Sequence, residues 1–472
     1  MKKLEDLNVK LPFKVKLCYA IGQFGNYTLL IFNSVFLLFF YTDIIQISSA
    51  AATVIIMIAR AWDAINDPMM GIVVDKAHSP GGKCRAFLRW CSIPAGICVF
   101  LSYYVPDFLT SGKVYWVAVM YILQGMAQTT LSVPLNTLLA RLSQDRVEIA
   151  KLGQYTSIGS VLANLLVPAV TLPLIKMFGG TGLDMKKGMA IVAALYGIIY
   201  AISHLAVYFG TKGYEQSEED LAEVGLISRQ EKTSVGDILK ALVQNKLCLM
   251  VALAYLMYCV YSSLMGSSLV FYITYNLKNQ DLMTPYSILS TVTGFAPIVF
   301  IVLLVKKFGT AGTSMATCVI LVIGELVRFI SGDGNIWCVY FGWAMEGIGL
   351  AMFGTMVRQC MVDAVTYGEW KTGVSNQAIL MSVLTFSQKL GQAFGGVCAA
   401  ALLTAVGYIP NAAEQSEAVK NTFFAEQVTL PLLIFVVNFF IFAVVRKYEK
   451  QIPQMKIEIA ARNKGRGVEV SE

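Results

Sequence analysis

Long apolar runs separated by short polar breaks recur along the whole chain, near residues 17–40, 49–74, 87–106, 114–140, 153–176, 188–209, 247–275, 284–305, 312–331, 336–361, 377–405 and 427–446. A helix needs roughly 20 apolar residues to cross about 30 Å of hydrocarbon, and each run approaches or exceeds that length. The pattern predicts an all-α polytopic membrane protein with twelve transmembrane helices. The longest polar stretch, residues 211–246, falls between the sixth and seventh runs and holds the acidic sequence Glu218, Glu219, Asp220 and a short amphipathic segment at 235–244. The expected organisation is a six-helix bundle over 1–210, a cytoplasmic linker over 211–246, a second six-helix bundle over 247–450 and a cytoplasmic tail over 451–472, which is the outline of a two-bundle transporter. The weak ten-residue alternation of a membrane β-barrel is absent.

Composition agrees with the pattern: 56% of the residues are hydrophobic and 14% charged, against about 25% charged in a soluble domain. The polar, lysine-rich start from Met1 to Lys16 does not have the form of a cleavable leader, so the first apolar run is expected to stay. Lys2, Lys3, Lys10, Lys14 and Lys16 precede the first run, Lys76, Lys83, Arg85 and Arg89 follow the second, and Arg446, Lys447 and Lys450 follow the last. This bias places both termini in the cytoplasm, with Asp43, Asp107 and Lys113 in the sparsely charged outer loops and Lys176, Lys186 and Lys187 as exceptions. The net charge of +7 is therefore read as topology and not as a nucleic-acid surface. Ten cysteines without a C-x-x-C pair, and only two histidines, argue against a disulfide framework or a zinc site; His204 is read as a packing residue.

Ionisable residues inside the runs need a partner or a task, because each is expensive in hydrocarbon. The second run carries Arg60, Asp63, Asn66 and Asp67, with the two aspartates one helical turn apart on one face. Two carboxylates and an amide oxygen are hard ligands suited to a small cation, and a close carboxyl pair also favours holding a proton. Spacing alone leaves a second reading open, in which Arg60 neutralises Asp63 and Asp67 lies near the interface. Lys389 sits mid-run amid Thr385, Gln388 and Gln392, where it can tie the second bundle to the first or donate to substrate oxygens. Glu346 is expected to be buried, and Glu325 with Arg328 reads as a local pair.

Tyr41-Thr42-Asp43, the run from Arg60 to Gly71, the loop Asp75…Gly82-Lys83-Cys84-Arg85 and the stretch Asp363 to Gly373 together resemble the glycoside-pentoside-hexuronide:cation symporters of the major facilitator superfamily, of the melibiose permease type. The resemblance covers residues from about 15 to 450. It implies a sodium or proton site at Asp63, Asn66, Asp67 and Thr129, with Asp63 and Asp67 ligating the metal ion if sodium is used, and it places Lys389 at the junction of cation and sugar. Substrate contacts are implied at Tyr27, Ser132, Asn136, Lys389 and Thr385. Tyr27, Ser132 and Asn136 stand where the galactoside carrier has two aspartates and a tryptophan, so a uronide, another anionic sugar or a pentoside fits better than a galactoside. Near the family's arginine early in span five, this chain has Gln154 or Tyr155. Coupling or gating is implied for Arg60, Asp75, Arg85, Asp363, Glu369 and Lys389, the loop members among them also being readable as ordinary topogenic charge.

The expected function is import of a sugar or glycoside coupled to Na+, Li+ or H+, by alternating access, in a bacterial plasma (inner) membrane. The expected partners are the sugar, the monovalent cation and the bilayer, with no nucleic acid and a functional monomer. No cofactor beyond the coupling cation and no enzymatic site is implied. The competing functions are a carrier of a lysolipid-like amphiphile, since the sodium-dependent lysolipid carriers of animals share the paired aspartates, and a membrane sensor, which would need broken coupling residues or an added signalling domain.

Overall fold

A computed structural model describes residues 10–77, 79, 82–109, 112–143, 146–179, 185–216, 245–372, 377–412 and 414–465. The acidic run and the amphipathic segment of the linker lie outside these residues. All regular structure among the described residues is helical, with no strand. In chain order the helices are α1 (Phe13–Phe39), α2 (Ser49–Lys76), α3 (Lys83–Trp90), α4 (Ser92–Ser102), α5 (Lys113–Leu142), α6 (Arg146–Gly179), α7 (Met185–Gly210), α8 (Lys246–Phe271), α9 (Met283–Ser331), α10 (Ile336–Thr372), α11 (Gln377–Ala405), α12 (Glu417–Phe424), α13 (Leu430–Glu449) and α14 (Ile452–Gly465). Wider π turns follow α1 at Phe40–Ile44 and α8 at Tyr272–Asn276, and join α12 to α13 at Ala425–Thr429.

Among the described residues, seven stretches are long and apolar enough to cross a membrane, and an eighth is the pair α3 and α4 if that pair, bent by 47° at Cys91, forms one span. The charges of α2 keep it below that standard although it is 28 residues long. Caps explain where several helices begin: Ser48 Oγ accepts from Ala51 N at 3.2 Å, and Asn245 Oδ1 accepts from Cys248 N at 2.9 Å.

The chain forms two compact units. In the first, comprising Met1–Gln230, Asn279–Ser287 and Ala400–Val419, α1 packs on α6 and α7, α2 on α5, and α4 on α7 and α5. In the second, comprising Glu231–Lys278, Ile288–Ala399 and Lys420–Glu472, α8 packs on α13 and α10, and α10 on α14.

One backbone device occurs in both units. Gly82, at φ 99°, precedes α3, and the Glu215 carboxylate beyond α7 lies against it, accepting from Cys84 N at 2.9 Å and Arg85 N at 3.2 Å. Gly309, at φ 78°, interrupts α9, and the Glu449 carboxylate at the end of α13 accepts from Thr310 N, from Thr310 Oγ1 at 2.7 Å and from Ala311 N at 3.1 Å. In each case a glycine supplies the left-handed turn and a distant carboxylate caps the orphan N–H groups of the helix that follows. An uninterrupted helix of 49 residues would run about 74 Å at 1.5 Å per residue, more than twice the hydrocarbon thickness, so the break divides α9 into two lengths of ordinary span size. Glu449→Ala is expected to destabilise the fold by about 1–3 kcal/mol through the stranded donors, read as a lowered melting temperature in detergent, whereas Glu449→Gln, which keeps an acceptor, should lose less.

Ahead of α1, the chain is pinned to the first turn of α6. Glu148 lies at 3% exposure and accepts from Lys151 Nζ at 2.7 Å, Lys16 Nζ at 2.6 Å and Leu11 N at 3.1 Å. Hydrogen bonds from Lys151, then from Lys16, hold its carboxyl down to about 2, below the ordinary 4.5, with burial opposing them. The folded state therefore favours the ionised form. The stabilisation is complete above about 4.5 and is lost as pH falls through about 2, so the melting temperature should drop between those values in the wild type and respond less in Glu148→Gln.

The helices outrun the apolar runs. Asp75, Arg85, Asp363 and Glu369, expected in loops, belong to α2, α3 and α10, and the tail over 451–472 contains α14. The helix expected to begin near 427 is already wound, through α12, from Glu417. Hydropathy marks where hydrocarbon ends, and backbone hydrogen bonding continues beyond it. Asp43, expected in an outer loop, is 3% exposed within a π turn, where it accepts from Thr42 Oγ1 at 2.7 Å and Tyr408 Oη at 2.5 Å.

Candidate functional site

The facing surfaces of α2 and α5 carry matched residues. On α5, Tyr121, Gly125 and Thr129 follow one another at intervals of four, making one stripe. Across from it, Thr129 Oγ1 donates to Asp67 Oδ1 at 2.8 Å, and a methyl group placed on Gly125 would lie 2.9 Å from Asp63 Oδ1. The two aspartates thus register one turn apart against Gly125 and Thr129. Tyr121 is 6% exposed and is an electrostatic neighbour of Arg60. Thr129 was expected in this group; Gly125 and Tyr121 were not, although their fourfold spacing was available in the sequence.

Arg60 Nη1 stands 3.7 Å from Asp63 Oδ2, an ion pair too long for a hydrogen bond, so it balances charge without occupying that oxygen's lone pairs. Asp63, Asn66 and Asp67 are half-buried. The Asn66 Nδ2 atom is buried without a hydrogen-bond partner, and turning the amide over would put its carbonyl oxygen in that place. Two carboxylates, an amide oxygen and a hydroxyl form a hard oxygen set able to hold a sodium-like ion or a proton.

Further along α5, where it meets α1, is a second polar zone. Gln23 Nε2 on α1 donates to Tyr19 Oη at 3.1 Å and to Asn136 Oδ1 on α5 at 3.4 Å, and Tyr19 Oη donates to the Leu135 carbonyl at 3.2 Å. Tyr27 lies one turn beyond Gln23, and Ser132 one turn before Asn136; Tyr27 and Ser132 are half-buried and Asn136 is exposed. Such amide and hydroxyl groups both donate to and accept from sugar hydroxyls. Gln23 was not anticipated.

Lys389 and Thr385 share a face of α11, one turn apart, and are exposed within the second unit, whereas Asp63 and Asp67 belong to the first. Arg85 is 5% exposed; its Nε and Nη2 donate to the Tyr208 carbonyl at 3.1 and 2.8 Å, and its guanidinium lies 4.7 Å from the Tyr208 ring centre. Asp363 Oδ2 lies 3.0 Å from Thr310 Oγ1, beside the break at Gly309, and shares that one hydroxyl hydrogen with Glu449. The Glu369 and Trp370 carbonyls accept from Arg462 of α14 at 3.5 and 3.0 Å, and Trp370 Nε1 donates to Glu458 at 2.6 Å. The side chain of Asp75 lies outside the described residues. His204 is fully buried with Nδ1 2.7 Å from the Tyr200 carbonyl, a packed position.

The sequence profile of the family described as MFS/sugar transport protein matches residues 18–446, nearly the whole chain. The protein belongs to that family. It is a transporter of the major facilitator superfamily and not an enzyme. Among its relatives, an isoprimeverose transporter of Lactiplantibacillus pentosus is 27% identical over 428 residues, covering 90% of this chain and 86% of the relative. An uncharacterized symporter of Bacillus subtilis (strain 168) is 27% identical over 413 residues, covering 87% of each. The crystal structure of the nucleoside transporter NupG superposes with a TM-score of 0.60 at 13% identity, covering 91% of this chain and 98% of that one, a likeness of fold. These findings place the chain among sugar transporters and symporters as a multi-pass membrane protein.

Proposed function

We propose that this family member is a cation-coupled symporter that imports a sugar or glycoside by alternating access, with the cation held at Asp63, Asn66, Asp67 and Thr129. The observation that carries the reading is the registration of Asp63 and Asp67 against Gly125 and Thr129, completed by the hydrogen bond from Thr129 to Asp67. Two carboxylates inside a membrane-spanning bundle are expensive unless a cation is bound to them for part of the cycle. The sugar is bound by Tyr27, Ser132, Asn136, Lys389 and Thr385, with Gln23 positioning Asn136; the neutral set on α1 and α5 favours a uronide, another anionic sugar or a pentoside over a galactoside. Coupling is the reciprocal improvement of cation and sugar binding, carried by Arg60, Asp63, Asp67 and Lys389.

The topology proposed with this function is twelve spans, with six-helix bundles at 1–210 and 247–450, a cytoplasmic linker at 211–246 and a cytoplasmic tail at 451–472. Both ends face the cytoplasm of a bacterial plasma membrane, and the monomer is the working unit. The charged positions Asp75, Arg85, Asp363 and Glu369 then lie at the cytoplasmic gate.

The test is uptake of labelled glycosides, pentosides and uronides by energised membrane vesicles, with sodium, lithium and pH gradients imposed separately. Uptake driven by one gradient and lost in Asp63→Cys establishes the mechanism and identifies both ligands. Concentrative uptake that survives Asp63→Cys overturns it.

A further inference from the structure

The second unit contains a buried ionisable cluster with no part in the coupling scheme above. Glu325, Arg328, Glu346 and Glu426 are each at most 2% exposed. Arg328 Nη1 donates to Glu325 Oε2 at 3.0 Å and to the Gln427 carbonyl at 3.1 Å, and its guanidinium lies 5.5 Å from the Tyr272 ring centre. Gln427 and Glu426 belong to the π turn between α12 and α13. Gln427 Nε2 donates to the Met265 carbonyl at 2.9 Å and to Ser268 Oγ at 2.8 Å, fixing the turn against α8.

Two of the Arg328 donors, Nε and Nη2, are buried without a partner, and Glu426 is left without one: both of its carboxyl oxygens are buried without a hydrogen-bond donor. Ser268 is its hydroxyl neighbour, but the single hydroxyl hydrogen of Ser268 goes to the Leu264 carbonyl at 3.0 Å. The charged and titratable groups around the π turn are Cys398 on α11, Glu325 and Arg328 on α9, Glu346 on α10, and Tyr272 at the end of α8. They comprise one guanidinium among three carboxyl groups, Glu426 included, and the guanidinium is already paired with Glu325. An ionised Glu426 would receive no hydrogen bond from the guanidinium, whose Nη1 goes to Glu325 and the Gln427 carbonyl and whose Nε and Nη2 reach no acceptor. The neutral acid would instead have an O–H to give, with Ser268 Oγ as its neighbouring acceptor. A π turn is also a common seat of functional residues, because it presents side chains that a regular helix would not.

We infer that Glu426 is a proton-binding site of the second unit, loaded independently of the Asp63–Asp67 pair. The ligand is a proton and the chemistry is reversible protonation of one carboxyl oxygen. A carrier driven by sodium at Asp63 and Asp67 would still contain this second, pH-responsive group, and an infrared readout of it requires neither sugar nor coupling cation.

The test compares wild-type protein and Glu426→Gln in lipid vesicles by infrared spectroscopy at neutral pH, with Glu426→Asp as a second variant. The wild type should show the C=O stretch of a protonated carboxylic acid in a dry environment. That band should be lost in Glu426→Gln and shifted in Glu426→Asp, while Glu426→Gln, an isostere of the neutral acid, keeps the wild-type melting temperature. A band that is unchanged in Glu426→Gln overturns the assignment. So does a Glu426→Gln protein that fails to fold while Glu426→Asp folds, because the site would then require a negative charge. If neither variant folds, the assignment is overturned, because a site that holds the neutral acid must tolerate its isostere glutamine.

Discussion

Asp67→Asn should abolish concentrative sugar uptake while leaving sugar exchange across the membrane in place. The substitution keeps an oxygen for the Thr129 hydroxyl, which now donates to Asp67 Oδ1 at 2.8 Å, so the packing of α2 on α5 is preserved. What is removed is one negative charge from the oxygen set. A bond to a charged group contributes about 1.5–3 kcal/mol, so cation affinity should fall by roughly 10–150-fold. With coupling gone, a gradient can no longer be converted into accumulation, but both faces can still exchange bound sugar. Accumulation and counterflow measured side by side in proteoliposomes separate the two. Full accumulation in Asp67→Asn would remove Asp67 from the cation site, and loss of both activities with a lowered melting temperature would make its role structural.

Gly125→Ala should move stability and cation binding in opposite directions. In a helix interior, alanine is favoured over glycine by about 0.8–1.0 kcal/mol. A methyl group at this position nevertheless meets Asp63 Oδ1 at 2.9 Å, closer than carbon and oxygen normally pack. Asp63 then has to turn away from α5, taking one carboxylate out of register with Asp67. The expected result is an unchanged or raised melting temperature together with about a tenfold or greater loss of cation affinity, since misplacing a charged ligand forfeits a bond of the strength given above. Cation-dependent stabilisation against heat measures both quantities in one experiment. Wild-type cation dependence in Gly125→Ala would show that Asp63 does not need its place opposite Gly125.

The fold class was readable in the sequence because hydrocarbon thickness imposes a minimum on every apolar run. Helix ends were not, because nothing in hydropathy marks the point at which hydrogen bonding stops: α10 continues through Asp363 and Glu369 to Thr372, and the helix at 452–465 has too few apolar residues to register. The aspartate pair was legible from its one-turn spacing, and Thr129 from the resemblance of its surroundings. Gly125 was missed because its contribution is the lack of a side chain, which no search for ligating groups detects. Asp43 was misplaced for a different reason. Its burial depends on Tyr408, 365 residues away in the chain, and on a π turn that turns it from the loop into the protein.

The glycine breaks at Gly82 and Gly309 bear on how the two halves should be compared. Lys83-Cys84-Arg85-Ala86 and Thr310-Ala311-Gly312-Thr313, the sequences that follow them, have no residue in common at matching places, yet each follows a left-handed glycine and is capped by a glutamate, Glu215 shortly after α7 and Glu449 at the end of α13. Aligning one half with the other letter by letter would therefore score this joint as unrelated. Aligning them by backbone angle and by the origin of the capping carboxylate would bring Gly82 onto Gly309 and Glu215 onto Glu449, and would recover a kinship between the halves that their letters no longer spell.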